Sequence, residues 1–483
     1  MQTLNIAIVV IYLLAMLGFG WWGKSRTRNA SDYLVAGRRL GPLLYTGTMA
    51  AVVLGGASTV GGVGLGYQYG ISGMWLVVAI GTGVLLLSLL FAPTIQKLKI
   101  YTVSQMLTLR YGHRATRVSG IVMLAYTLML CATSTGAYAT IFVVLFGWDR
   151  ALSIAVGGGI VLIYSTIGGM WSITLADMAQ FVIKTIGVFA LMLPFSLAAA
   201  GGFDGIAERA GAEFFSITGI GVQSIITYFV VYTLGLLIGQ DIWQRVFTAR
   251  SPQVARWAGL GAAVYVALYG VAGALIGTAA AAVLPNLSVP EEAFAAMAQM
   301  HVPAGLGGVV LAAGVAAMMS TASGAMIAAS TVARVDVVPT LKGLFGASLD
   351  DVARARSEDA SVFKDRVYVV VVGLVVTFVS MLVPSTVVAL TIAYNVLVGG
   401  LLVAILGGLV WKRGTAMGAA GSMAVGSLVT LVSMAAFGVL ANSPIYLGLL
   451  TSLLVYVVVS LLTKRTSTEV SAKWSRRIKE ATS

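Results

Sequence analysis

The chain has 483 residues, of which 59% are hydrophobic and only 10% are charged. Soluble globular domains carry about 25% charged residues, so this composition excludes a soluble globular protein. Apolar runs long enough to cross a bilayer, which takes about 20 residues, recur from Leu4 to Leu462. In a soluble protein, the net charge of +13 would indicate binding to nucleic acid. In a membrane protein, such a charge marks basic cytoplasmic loops. We therefore predict an all-α polytopic membrane protein in a lipid bilayer, with no nucleic-acid partner.

Apolar segments follow one another along the chain and predict about thirteen membrane-spanning helices. These segments are residues 4–22, 42–69, 72–96, 115–146, 150–167, 173–200, 222–244, 255–283, 303–332, 367–385, 387–409, 416–438 and 443–463. Basic residues cluster in alternate loops, at 23–41, 97–117, 245–256 and 411–414 and in the tail from Lys464. Because Lys and Arg mark the cytoplasmic side, this alternation predicts an extracellular N-terminus and a cytoplasmic C-terminus. The mixed-charge loop 333–366 is the longest, and we expect it to be partly helical.

Two of the predicted spans contain glycines that indicate a break in the helix. Residues 55–66 read GGASTVGGVGLG, and residues 233–245 read TLGLLIGQDIWQR. Irregular backbone is tolerated at membrane depth where it lines a cavity, and broken helices at matching positions in two halves indicate a binding site. The alternative is that these glycines only allow close helix packing.

The breaks and loop charges divide the chain into six parts. Each break lies in the first helix of a five-helix group, and the loop charges orient the two groups oppositely. The parts are a first helix with its basic loop (1–41), one repeat (42–200), an extracellular loop (201–221), the inverted repeat (222–409), two accessory helices (410–463) and a basic tail (464–483).

Five short stretches match the motifs of a known family, in its order and at its spacing. They are SDYLVAGRRLGP (31–42), YTVSQMLTLRYG (101–112), IYSTIGGMWSITLADMAQ (163–180), QDIWQRVFTAR (240–250) and GVAAMMSTASGAM (314–326). On these motifs the chain resembles the sodium:solute symporter family, which includes sugar, proline, sialic acid, pantothenate and choline symporters. The resemblance implies a leucine-transporter-type inverted repeat of 5+5 helices in the cell membrane. It also implies sodium-driven uptake by alternating access.

Hydroxyl groups cluster in the otherwise apolar stretch AAMMSTASGAM, at 316–326. Sodium is a hard cation that takes oxygen ligands, and unpaired carbonyls exist where a helix is broken. A broken helix that faces a hydroxyl-bearing helix can therefore hold the ion. The resemblance implies that the sodium ligands are the carbonyls of Ala51, Leu54 and Ala317 and the hydroxyls of Ser320 and Thr321. The alternative is that these hydroxyls only bond to carbonyls one turn earlier in their own helix.

Some family members bind a second sodium ion, at an aspartate of the sixth helix and further hydroxyls of the ninth. Asp177 and Ser323 match two of those positions, so the resemblance assigns them to a second sodium site. Gly324 stands where the next hydroxyl belongs and removes one ligand, which leaves the second site open. An ionisable residue inside a span is usually functional, although a structural role is the alternative for Asp177, near the cytoplasmic end.

Lys184 is an unusual charge because it falls near the middle of an apolar segment. It follows Asp177 by seven residues, which places both on nearly the same helix face, about 10 Å apart. Three roles are open: pairing with Asp177 through bridging groups, contact with a substrate carboxylate, or replacement of a missing cation. We expect pairing inside the bundle, because charged groups at membrane depth usually pair.

The substrate is expected between the two broken helices. Candidate lining groups are polar or aromatic: Ser58, Thr59, Thr133, Ser134, Tyr138, Tyr228, Tyr232, Gln240, Tyr394 and Asn395. By resemblance, Tyr232 falls where sugar symporters place a substrate-contacting residue, and Gly235 falls where they carry a gating tyrosine. Val53 replaces an aspartate of the proline symporter, which argues against a proline-type site. The set suits a small polar organic solute (an amino acid, a carboxylate or an amine), although packing is the alternative role for each tyrosine.

Three other classes compete with a sodium symporter. An enzyme is not expected, because the two histidines, His113 and His301, lie in loops predicted to be on opposite sides. A sensor of the same fold would carry a signalling domain, and the chain shows none. A proton-coupled symporter would rely on Asp177 and would not need Ser320 or Thr321. We expect no obligatory protein partner.

Overall fold

The structure, a computed structural model, describes residues 2–344, 361–383 and 385–482. Within these ranges its regular structure is helical, apart from one isolated β-bridge between Leu40 and Ala249. The all-α prediction is therefore confirmed. Of the loop predicted at 333–366, residues 345–360 lie outside the described residues, and the part before them is a continuation of a long helix.

The first half of the chain forms eleven α-helices, numbered here in chain order. They are α1 (Gln2–Arg26), α2 (Ala30–Val35), α3 (Pro42–Val53), α4 (Gly62–Tyr69), α5 (Trp75–Leu86), α6 (Ala92–Lys97), α7 (Val103–Tyr111), α8 (His113–Phe146), α9 (Arg150–Lys184), α10 (Leu193–Ala199) and α11 (Gly202–Arg209). Single π-helical segments join α3 to α4, α5 to α6, and α9 to α10, at Ala57–Gly61, Leu87–Phe91 and Thr185–Met192.

The described part of the second half continues with twelve α-helices. They are α12 (Val222–Tyr228), α13 (Leu234–Leu236), α14 (Gln240–Thr248), α15 (Pro252–Val283), α16 (Ala293–Met300), α17 (Leu306–Val332), α18 (Val338–Leu344), α19 (Val362–Leu382), α20 (Thr386–Val410), α21 (Ala416–Phe437), α22 (Ser443–Leu462) and α23 (Thr468–Thr482). Further π-helical segments join α12 to α13 and α17 to α18, at Phe229–Thr233 and Ala333–Val337.

Ten helices in the described part of the chain are long and apolar enough to cross a membrane. The number becomes eleven when the bent pair Val222–Leu236 and Gln240–Thr248 is taken as one span. Two of the ten are 41 and 50 residues long, about twice the length that one crossing needs. Counting those two as double crossings would reach thirteen, but the number thirteen and the side of each terminus stay predictions.

Both predicted helix breaks are confirmed. α3 ends at Val53, Leu54 takes the non-helical angles φ −97° and ψ 71°, and a new helical segment starts after Gly55. α13 and α14 are separated by residues 237–239 and enclose an angle of 46°. Each break leaves backbone groups without partners in their own helix, so neighbouring elements must supply those partners.

The helix α17 lies at the centre of the molecule. Its apolar, membrane-length stretch is completely buried, and α1, α3, α8, α9 and α19 pack around it. Helix α9 bonds to it directly, because the Tyr164 hydroxyl donates to the carbonyl of Met319 over 3.1 Å. This position brings the hydroxyl-rich stretch of α17 into contact with both the broken helix α3 and the Lys184 end of α9.

We predict that α9 tolerates a methyl group at one glycine and not at another. Gly169 has φ 57° and ψ −138°, and a Cβ there would lie 2.5 Å from the carbonyl oxygen of Tyr33. Gly169→Ala should therefore lower the free energy of unfolding by about 2 kcal/mol or more, because it adds a clash to backbone strain. The measurement is thermal unfolding of the purified protein in detergent.

Gly159→Ala is the matched control in the same helix. A Cβ at Gly159 meets nothing within 4 Å, and alanine is the better helix former, so we expect equal or slightly higher stability. Equal unfolding temperatures for the two variants would contradict the strained geometry at Gly169.

Candidate cation and substrate sites

The hydroxyls of α17 contact the carbonyls that the break in α3 leaves free. The Ser320 Oγ lies 2.7 Å from the carbonyl oxygen of Ala51 and 2.9 Å from that of Ala317. The Thr321 Oγ1 donates to the carbonyl of Val52 over 2.5 Å. All these groups are buried. The structure thus brings carbonyl and hydroxyl oxygens from two helices together, which is the kind of donor set that sodium takes.

Four of the five predicted sodium ligands lie in this contact region. Ala51, Ala317 and Ser320 share one set of hydrogen bonds, and Thr321 contacts the carbonyl next to them. Leu54 is the residue at the break itself, and no hydrogen bond joins its carbonyl to the others among the contacts seen. The oxygens therefore fit a sodium site in kind, and the ligand set stays a prediction.

Lys184 reaches the same oxygens. Its Nζ lies 3.1 Å from the carbonyl oxygen of Ala51 and 3.5 Å from the Ser320 Oγ, and the residue is fully buried. We expected Lys184 to pair with Asp177 through bridging groups; the direct ion-pair partner of Asp177 among the described residues is Arg245, and pairing through bridging groups stays a prediction.

Asp177 belongs to a separate polar cluster. Its Oδ2 accepts from the Thr48 Oγ1 over 2.5 Å and from an Arg245 guanidinium nitrogen over 3.0 Å, and both charged side chains are fully buried. The Ser323 Oγ donates within α17, to the carbonyl of Ser320. A Cβ on Gly324 would lie 2.8 Å from an Arg245 nitrogen. The missing side chain at Gly324 therefore makes room for the guanidinium, and the second sodium site stays a prediction.

Two cavities lie beside the broken helices. The larger has a volume of about 440 Å³, within the range of small-molecule sites, and is lined by α4, α12, α20 and the loops near Ile220, Glu291 and Asn442. The smaller, about 20 Å³, lies at the α3 break and has room for about one water molecule. We call them the outer and the inner cavity.

The predicted substrate residues fall into three groups. Ser58, Thr133 and Ser134 line the inner cavity, and Tyr228, Tyr232 and Asn395 line the outer cavity. The third group, Thr59, Tyr138 and Gln240, lines neither cavity. The Thr59 hydroxyl pairs with that of Tyr269, Tyr138 packs on Gly157, and both amide atoms of Gln240 bond to the backbone of Tyr101 and Val103. These contacts give no support to a substrate role for Thr59, Tyr138 or Gln240.

Aromatic rings lie between the two cavities. Tyr394 lines the inner cavity, Tyr232 lines the outer one, and their ring centroids are 5.4 Å apart. Tyr126 stands edge-on to Tyr394 at 5.5 Å. A Cβ on Gly235 would lie 2.2 Å from the Tyr394 ring. The Tyr394 ring from α20 therefore occupies the space beside Gly235, and a gate at this position stays a prediction.

Asp241 was missed as a candidate from the sequence. It lines the inner cavity at the start of α14, is 2% exposed, and its Oδ1 accepts from the Tyr126 hydroxyl over 2.8 Å. Among the residues that line the two cavities in the described part of the chain, the ionisable acids and bases are Asp241 and Glu291. The available signal was an acid directly after a glycine break, inside the quoted motif QDIWQR.

The fold defines the class of protein. A sodium-coupled sialic acid symporter superposes with a TM-score of 0.79 at 19% sequence identity, covering 96% of this chain and 99% of its own. A nucleobase-cation-symport-1 family transporter superposes with a TM-score of 0.51 at 15% identity, covering 93% of this chain and 99% of its own. The fold is therefore that of the leucine-transporter-type membrane transporters.

The family follows from the sequence comparison. The model of the sodium:solute symporter family matches residues 33–426, and the chain belongs to this family. It is 25% identical to the osmoregulated proline transporter of Bacillus subtilis over 491 residues, 96% of each chain. It is 26% identical to a sodium/proline symporter of Staphylococcus aureus, over 95% of this chain and 92% of the relative. The protein is a multi-pass transporter of the cell membrane and not an enzyme, and its family supports sodium as the coupling ion.

We predict that the Asp177–Arg245 pair stabilises the protein whether or not sodium is present. Asp177→Asn leaves the Arg245 guanidinium buried without its counter-charge, which costs about 3–5 kcal/mol for a buried pair. The variant should therefore unfold at a clearly lower temperature in detergent, with sodium or with choline in the buffer.

The double variant Asp177→Asn with Arg245→Gln is the control, because it removes both charges. It should be more stable than Asp177→Asn alone. Stability lost only in the sodium buffer would instead indicate that Asp177 holds an ion.

Proposed function

We propose that the protein is a sodium-coupled symporter that imports a small polar organic solute with an ammonium group, such as an amino acid or an amine. One observation carries the proposal: the hydroxyls of Ser320 and Thr321 contact the carbonyls of Ala51 and Val52 at a helix break that also lines a cavity. An ion held at these oxygens would join α3 to α17 and thereby shape the adjacent cavity.

This arrangement supports coupling between ion and solute. Sodium bound between α3 and α17 would order residues 52–53 and 55–58, which line the inner cavity, so that solute binds more tightly. Such coupling is reciprocal, and bound solute would raise the affinity for sodium by the same factor. A tenfold sodium gradient then supplies about 1.4 kcal/mol for accumulation, and the membrane potential adds about 2.3 kcal/mol per charge and 100 mV.

The surroundings of Asp177 favour sodium over proton coupling. A proton-coupled symporter of this fold would use Asp177 as its proton carrier. That carboxylate is bonded to Arg245 and to Thr48 inside the protein. The Oδ2 of this carboxylate is thus engaged in buried contacts with α3 and α14, which supports a structural role for Asp177 rather than proton transport.

The charges along the cavities favour a solute with a positive group. The lining acids Glu291 and Asp241 are accompanied by no basic lining residue in the described part of the chain. Backbone amides at the start of the helical segment after Gly55 are suited to a carboxylate. The inner cavity, about 20 Å³ in this structure, would have to widen before an amino acid could place its ammonium at Asp241 and its carboxylate at these amides. Relatives named as proline transporters agree with this class, although Val53 argues against proline itself.

We expect Ser320→Ala and Thr321→Ala to weaken sodium dependence. Each variant removes one oxygen donor, so the sodium concentration for half-maximal solute uptake should rise at least tenfold, about 1.4 kcal/mol. The measurement is uptake of labelled amino acids into liposomes that contain the purified protein, over a range of sodium concentrations.

Ser330→Ala is the matched control in the same helix. The Ser330 hydroxyl is buried but bonds only to the carbonyls of Met326 and Ile327, one turn earlier. Its loss should leave the sodium dependence unchanged. The sodium site would be refuted if the double variant Ser320→Ala with Thr321→Ala kept the sodium dependence of the unmodified protein.

We expect Asp241→Asn to reduce uptake of ammonium-bearing solutes. The substitution keeps the side-chain shape and removes the negative charge, so uptake at low solute concentration should fall at least tenfold. Tyr126→Phe removes the hydrogen bond to Asp241 and keeps the charge, and it should have a much smaller effect. Equal losses in both variants would indicate that Asp241 acts through packing rather than by recognising charge.

A further inference from the structure

Lys184 lies at the end of the α-helical part of α9, where a π-helical segment begins. Its side chain is fully buried and reaches across to α3 and α17. The Nζ donates to the Ala51 carbonyl over 3.1 Å and lies 3.5 Å from the Ser320 Oγ. The Ser320 Oγ itself lies 2.7 Å from the Ala51 carbonyl oxygen. The ammonium group is thus placed at the oxygens that join the two helices.

No acid in the described part of the chain forms an ion pair with Lys184. The carboxylate on the same helix face, Asp177, is bonded to Arg245 and Thr48, and no ion pair within 4 Å joins it to Lys184. Glu291 and Asp241, the acids along the cavities, have no ion pair with Lys184 either among the described residues. The ammonium is therefore held by neutral oxygens, which is how a monovalent metal ion is held in a protein.

An ammonium group and a sodium ion make the same demand on these oxygens. A lysine ammonium has three hydrogen-bond donors and no acceptor, so it binds to oxygen lone pairs. Sodium binds to the same lone pairs. An ammonium group and a sodium ion bound to the same carbonyl oxygen would lie a few ångströms apart. Like charges at that distance repel strongly away from water, so the two cations exclude each other.

We infer that the Lys184 ammonium is a tethered cation. It occupies the proposed sodium site between α3 and α17 and competes with sodium for the Ala51 and Ser320 oxygens. Sodium can bind there only when the flexible four-carbon stem of Lys184 carries the ammonium away. In the absence of sodium, Lys184 holds the broken helix against α17. This inference rests on the proposed sodium-coupled symport, and it adds an internal competitor to the ion site.

The test is equilibrium binding of radioactive sodium to the full-length protein in detergent, without solute. We compare the unmodified protein with Lys184→Met, which keeps the length and removes the charge, and Lys184→Gln, which keeps a donor for the Ala51 carbonyl. Both uncharged variants should bind sodium at least tenfold more tightly than the unmodified protein. Lys184→Arg keeps a cation and should bind sodium as weakly as the unmodified protein.

A second substitution locates the effect. Adding Ser320→Ala to Lys184→Gln should abolish the gain in sodium affinity. Adding Ser330→Ala should leave the gain intact. Gel filtration and thermal unfolding identify any variant that fails to fold, and the three substitutions at position 184 give independent readings.

Three results would overturn the inference. They are equal sodium affinity in the unmodified protein and both uncharged variants, weaker binding in both variants, and a gain that Ser320→Ala does not remove. Failure of the proposed function has a different readout, because solute uptake into liposomes would then be independent of a sodium gradient in the unmodified protein and in every variant.

Discussion

The structure depends on the interruption of α3 at Leu54 and Gly55. A helix that ends inside an apolar environment leaves carbonyl groups that water cannot reach, and each costs several kcal/mol unless another group bonds to it. Three consecutive carbonyls receive side-chain donors from different places: Ala51 from Ser320 and Lys184, Val52 from Thr321, and Val53 from Ser58. The same bonds that make the break tolerable connect α3 to α9 and α17, so the proposed cation site is also the structural joint of the core.

Two buried cationic side chains near this joint differ in their bonding partners. Arg245 faces the carboxylate of Asp177, and the absence of a side chain at Gly324 gives it space. The hydrogen-bond acceptors of Lys184 among the described residues are neutral oxygens. A charge held by carbonyl and hydroxyl groups is more easily exchanged for another cation than one held by a buried carboxylate, because no counter-charge is left behind. If sodium binds at this joint as proposed, it can exchange with the ammonium there, whereas the Asp177–Arg245 pair links α9 to α14 through a buried ion pair.

The sequence predicted the parts of the site that stand out against an apolar background. Hydroxyls at Ser320 and Thr321 and glycines after Leu54 are conspicuous in spans made of apolar residues. As expected, the two hydroxyls contact backbone carbonyls of the broken helix α3. The contact of Lys184 with the Ala51 carbonyl was not predicted, since helical spacing relates Lys184 to Asp177 along one helix but does not contain the position of α3. Gln240 shows the same limit: its polar amide faces the backbone of Tyr101 and Val103, far along the chain.

The amino-acid sequence by itself determined that this protein is an all-helical membrane protein with two broken spans, because hydrophobic length, glycine runs and loop charges act locally. Only the tertiary structure decided which side chain bonds to each free carbonyl. It also decided that the Tyr394 ring fills the space beside Gly235. Those outcomes follow from the way α3, α9, α17 and α20 pack against each other. Packing of that kind depends on shape and distance between helices far apart in the chain, which no local pattern records.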